Sequence, residues 1–155
     1  MYASSETFDP STGQFTAAGM MTTQRDWQTA SLLASGKVLV AGGDESAGQT
    51  NATADLFDPS SGNFAVTENM TEPRYNHAAS TLNDGTVLIS GGMDIGTSSI
   101  AKATAEIYDP TATAFTPTGS MNAARAWHTS TVLQNGKVLI TGGDWPPIAT
   151  AEIYQ

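Results

Sequence analysis

Three short apolar runs, at 38–40, 87–89 and 138–140, are each followed by a glycine pair: Gly42-Gly43, Gly91-Gly92 and Gly142-Gly143. The interval is roughly 50 residues, and the polar positions around the runs repeat with it. The runs are Val-Leu-Val, Val-Leu-Ile and Val-Leu-Ile, apolar at every position, which predicts strands buried on both faces. Ahead of each run lies a segment of small, mixed residues, at 28–33, 77–82 and 128–133. Small side chains there predict a strand crowded by its own equivalents around a central axis. Ser35-Gly36, Asp84-Gly85 and Asn135-Gly136 join these two strands, and such dipeptides predict a tight hairpin. A third strand is expected at 56–59, 106–110 and 152–154, after a loop of variable sequence. Asp-Pro at 9–10, 58–59 and 109–110 then starts a turn, and a fourth strand opens on Phe15, Phe64 and Phe115. No segment has a helical period.

A four-stranded unit of this length is the signature of a propeller blade, which cannot bury both of its faces alone. The apolar strand ending in Gly-Gly, with the aromatic pairs Phe8/Phe15, Phe57/Phe64 and Tyr108/Phe115 at a constant spacing, resembles the kelch repeat family. The resemblance runs over essentially the whole chain. It implies an all-β fold, a β-propeller of four-stranded blades with the first strand of each nearest the axis. Phe stands at the second aromatic position, where that family often carries Trp. The units fall at about 1–20 (third and fourth strands only), 21–69, 70–120 and 121–155, the last incomplete, so thirteen strands are expected. About three blades cannot close a ring, since propellers close with roughly four to eight. A homodimer forming one six-bladed propeller is therefore expected, with residues 5–20 completing the unit at 128–143 of the other copy by strand exchange. That count leaves one surplus third strand per chain, so residues 1–9 or 150–155 should be displaced or disordered.

The chain has 6 Lys and Arg against 15 Asp and Glu, a formal net charge of −9. That excludes nucleic acid as a natural partner, because phosphate binding needs clustered cations. No apolar run reaches transmembrane length, so membrane insertion is not expected. Without cysteine there is no disulfide, thiol nucleophile or thiolate metal site. Localisation is left open.

Candidate chemistry rests on residues that repeat. Glu6, Asp55, Glu106 and Glu152 stand two before the third-strand aromatic, on the same face of the strand. The repeated cations are Arg25, Arg74 and Arg125. The preferred reading is a structural Arg–carboxylate bridge from the start of one strand to the third strand of its own or a neighbouring blade. The other is a channel mouth lined by arginines for an anionic ligand. His77 and His128 share a repeat position that Gln28 fills in the first unit; a hydrogen-bonded structural histidine is preferred over a metal or proton-transfer role. Trp27, Tyr75, Trp127 and Trp145, with Asn76 replacing a tryptophan, form either a stacking surface for sugars or a partner chain, or wedges between blades. Asp44, Asp94 and Asp144 could ring a cation, but lack calcium-loop spacing, and turn capping is the preferred reading. Asn51 and Asn69 lie in glycosylation sequons.

Galactose-oxidase-type enzymes use kelch blades, but their copper chemistry requires a cysteine-linked tyrosine, which a chain without cysteine lacks. No catalytic constellation, metal site or cofactor site is legible. The expectation is a non-catalytic binding or scaffold module for a protein or a glycan. Two alternatives stand beside it: a fragment of a larger carbohydrate-active or oxidative enzyme, and an isolated or designed repeat segment with no selected ligand.

Overall fold

The computed structural model describes residues 2–45, 48–97, 100–143 and 147–155. The protein is all-β, with one 3-10 turn at Ile95–Thr97 and no α-helix among the described residues. In chain order the strands are β1 Tyr2–Asp9, β2 Gln14–Arg25, β3 Thr29–Leu32, β4 Val38–Ala41, β5 Asp44–Glu45, β6 Gln49–Thr50, β7 Ala54–Asp58 and β8 Asn63–Val66. There follow β9 Ala78–Thr81, β10 Val87–Ser90, β11 Met93–Asp94, β12 Ile100–Ala101, β13 Ala105–Asp109, β14 Ala114–Thr118, β15 Thr129–Val132, β16 Val138–Thr141 and β17 Ala151–Tyr154.

Two four-stranded antiparallel sheets, β3-β4-β7-β8 and β9-β10-β13-β14, follow chain order. A three-stranded sheet, β15-β16-β17, repeats the pattern without a fourth strand among the described residues. The β1–β2 hairpin stands as a sheet of its own. The expected hairpins close as their sequences require. In the second sheet Leu82 N–H donates to Thr86 O at 2.8 Å, and Gly85 takes φ +88° to make the turn. The Asp-Pro turns are held from inside: Asp58 Oδ1 accepts from the Ser60 amide (2.9 Å) and hydroxyl (2.6 Å). The loop after each of the first two glycine pairs carries something the pattern did not predict. It folds into a two-residue ribbon, β5–β6 and β11–β12.

Successive sheets pack face to face. Leu39, Ala41 and Ala54 of the first sheet meet Val87, Ile89, Tyr108 and Phe115 of the second in one core. Leu88 and Ala105, on the other face of the second sheet, meet Val138 and Ile140 of the third. Alternate residues of one apolar run thus serve two interfaces, which is why the run has no polar phase. The first strands of the sheets are neighbours: Ser80 and Ser130 hydroxyls are 2.6 Å apart, and Thr81 Oγ1 donates to Leu32 O at 3.1 Å. Small side chains at 78–81 and 129–132 permit that approach.

The hairpin β1–β2 lies against the outer face of the first sheet. Gly19 N–H donates to Gly62 O at 2.7 Å, and a cavity of about 240 Å³ lies between Ser5–Thr7 and Val38, Val40, Phe57 and Phe64. Its ring pair Phe8–Phe15, at 4.9 Å, copies Phe57–Phe64 at 4.9 Å and Tyr108–Phe115 at 4.8 Å. Burial differs: Phe8 and Phe15 are 53% and 67% exposed, whereas Tyr108 is 0%.

One expectation needs correcting. Residues 5–20 are expected to complete the unit at 128–143 of another copy, with residues 1–9 or 150–155 displaced or disordered. Instead β17 of the same chain pairs with β16 along its length, and β1 is also a formed strand. The register Val138–Tyr154, Ile140–Glu152 satisfies the β16 edge locally. The position open to another strand is therefore beyond β17.

Candidate functional site

The repeated arginines and acids are brought together in three equivalent clusters. Arg25 Nη2 lies 3.1 Å from Asp55 Oδ2, Arg74 Nη2 lies 2.8 Å from Glu106 Oε1, and Arg125 Nη2 lies 2.9 Å from Glu152 Oε1. Each pair lies within one unit; the first two are buried on both sides, while in the third Arg125 is buried and Glu152 is partly exposed. Each acid also receives backbone donors from the segment before its arginine: Thr22 N–H to Asp55, Thr71 N–H to Glu106, Ala123 N–H to Glu152. Each Nη1 donates to the carbonyl of the first glycine of its pair, Gly42, Gly91 or Gly142. A carboxylate in this setting has its lone pairs filled, which is the condition for tolerating a buried charge. The guanidinium groups are spent inside the sheets, so they line no channel mouth. Glu6 is different: it is exposed, and no cation pairs with it among the described residues.

The first glycines of the first two pairs owe their identity to the next unit. Gly42 has φ +65°, and a Cβ there would stand 2.5 Å from Arg74 O and 2.8 Å from His77 Cε1. Gly91 meets Arg125 O and His128 Cε1 in the same way. The space a side chain would fill is taken by the following unit's arginine carbonyl and histidine ring.

His77 and His128 are consequently buried. His77 Nε2 is 2.9 Å from Thr29 Oγ1, and His128 Nε2 is 3.0 Å from Ser90 Oγ, while both Nδ1 atoms lack partners. Burial pushes His77 down to about 3, with the Arg74 and His128 charges adding. Burial also pushes His128 down to about 4, with Arg125 adding. Both rings are neutral at pH 7 and bridge units. No group of three or more His, Cys, Asp or Glu is placed to hold a metal among the described residues.

The tryptophans stand apart. Trp27, Asn76 and Trp127 occupy equivalent places, two residues after each arginine, and all three have left-handed backbones: φ +53°, +53° and +52°. They are strung together by backbone bonds, Asn76 N–H to Trp27 O at 3.2 Å and Trp127 N–H to Asn76 O at 3.0 Å. Trp27 and Trp127 are 53% and 51% exposed. Tyr75 is buried with Met93 and Ala126, and supports the Trp27 ring at 5.6 Å. Asparagine enters this backbone region at little cost; a bulky indole does so at about 1–3 kcal/mol. Sequence reading marked Trp27 and Trp127 as aromatic and Asn76 as a replacement, but the shared backbone shape carries no sequence signal beyond the Asn itself.

In the first unit Asp26 and Asp44 face each other across a bridge where the second has Tyr75 and Met93. Burial raises the Asp44 carboxyl, and the Asp26 charge adds to this. Asp94 Oδ1 accepts the Gly96 amide at 2.9 Å, a turn-capping contact. Asp144 and Trp145 lie outside the described residues. Asn51 is buried, with its Oδ1 accepting from Thr53 N–H, and Asn69 is exposed. Comparison with protein-family models and with curated proteins finds no match for the chain.

Proposed function

We propose that the chain forms part of a kelch-type β-propeller and works as a non-catalytic binding or scaffold module, completed to six blades by a second copy. The observation that carries this reading is the repeated link between sheets. Gly43 N–H donates to Arg74 O (3.0 Å) and Gly92 N–H to Arg125 O (2.8 Å), so each unit docks on the next in one way. Such a link has no intrinsic end, and a rotation repeated at one place either closes a ring or continues as a filament.

The two ends of the array support closure by a like unit. Phe8 and Phe15 present the aromatic pair that elsewhere meets a preceding sheet, and Ile153 on the third sheet is 45% exposed. A cavity of about 300 Å³ lies beside β17, lined by Thr118–Asn122, Ile140 and Glu152–Gln155. The second copy meets that open edge and face with its β1–β2 hairpin. The module reading is supported by where the repeated arginines and histidines lie: buried within and between the sheets, holding them together.

Electron microscopy of the purified chain tests the reading. It predicts closed rings of six blades. Open three-unit arcs at all concentrations, or turnover of glycosides or alcohols that is lost in His77→Ala, would overturn it.

A further inference from the structure

We infer that the Trp27–Asn76–Trp127 surface binds a neutral carbohydrate; this deepens the binding-module reading and rests on it. Two half-exposed indoles flank one asparagine on consecutive units, held in order by the backbone bonds between them. Indole faces are broad, apolar and rigid, with two rotatable side-chain bonds, and so lose little entropy on binding. Neither indole N–H, nor the Asn76 side-chain carboxamide, has a hydrogen-bond partner among the described residues. The surface therefore offers stacking area with donors and one acceptor between.

That combination fits a pyranose. One face of the ring is lined by C–H groups that pack on an indole, and its rim carries hydroxyls that both donate and accept. An anionic ligand is disfavoured on the same surface. Arg25 and Arg125, the nearest cations in sequence, are buried on Asp55 and Glu152, and the chain carries −9 overall. A purely apolar ligand would leave the amide and indole N–H groups unpaired on burial. The exposure of both rings also argues against wedging: a wedge would be covered by the units it separates.

Asn76 shows which residue fits this backbone without an aromatic ring, so Trp27→Asn and Trp127→Asn remove the indoles and keep the turn. The probes are cellohexaose, mannohexaose and chitohexaose, titrated by calorimetry and by indole fluorescence. At least one should bind saturably, with Kd weakened about tenfold or more in each variant. The thermal midpoints should be unchanged or higher. Absence of saturable binding by all three, undiminished binding in the double variant, or a fall in midpoint of more than about 5 °C would overturn the inference. The mass of the parent chain, measured beside its sugar titrations, separates the two proposals. Association without sugar binding removes the carbohydrate inference and leaves the module; sugar binding without association does the reverse.

Discussion

The second and third sheets are built from nearly the same sequence, yet they are buried differently. Val87, Leu88 and Ile89 are inaccessible to solvent; in the third sheet Val138 and Ile140 match them, but Leu139 between is only half-buried. Ala105 is buried and its equivalent Ala151 is exposed. Gly91 is crowded by the next unit's backbone and histidine, whereas a Cβ on Gly142 would meet, among the described residues, nothing nearer than Ile148 O at 4.0 Å. The residues on the open face are those that elsewhere form an interface. The strands are therefore local products of sequence, while their stability is a property of neighbours.

The buried ion pairs give the largest expected contrast. Arg74→Ala should cost about 3 kcal/mol, because it leaves the Glu106 charge buried and unpaired. Arg125→Ala should cost less: the Glu152 side chain keeps 11% exposure, so water can reach it. Equal losses in urea denaturation would break the comparison.

The apolar runs sharpen it. Leu88→Ala should cost about 3 kcal/mol, within the usual span for a buried leucine, and Leu139→Ala distinctly less at dilute concentration. The gap should narrow as protein concentration rises, if a second copy covers Leu139. A gap that never changes with concentration would mean that the face stays open.

A smaller effect comes from the histidines. Both have folded-state values pushed below their ordinary one, so the unfolded chain binds their protons first. Stability from each is complete above about pH 6.5 and falls by about 1.4 kcal/mol per pH unit below it, until the folded values near 3 and 4 are reached. His77→Gln, which copies Gln28 of the first unit, should flatten that slope relative to the parent between pH 6.5 and 4. A parallel pair of stability curves would show that His77 takes up its proton as readily in the fold as in the unfolded chain.

Much of this architecture could be read from the chain. Valine and leucine runs, hairpin dipeptides and Asp-Pro turns act over a few residues, and the strands of the three sheets lie within about two residues of where the pattern puts them, while the β1–β2 hairpin runs from Tyr2 to Arg25 against an expected 5–20. The arginines and acids were recognisable as sets, but their spacing left own and neighbouring unit equally open. That choice is made by the backbone of 22, 71 and 123, which closes round the carboxylate. The β5–β6 and β11–β12 ribbons are too short to carry a period. The left-handed turn at Trp27 and Trp127 was illegible because nothing in a tryptophan announces it.

The central claim is that the open face of the third sheet is an interface for another unit. Light scattering at micromolar concentration tests it most directly, on the parent chain and on Ile153→Lys, which places a charge on that face. The account predicts twice the chain mass for the parent and the single-chain mass for the variant, with the circular dichroism of the two superimposable. A sharp single-chain mass for the parent would contradict it.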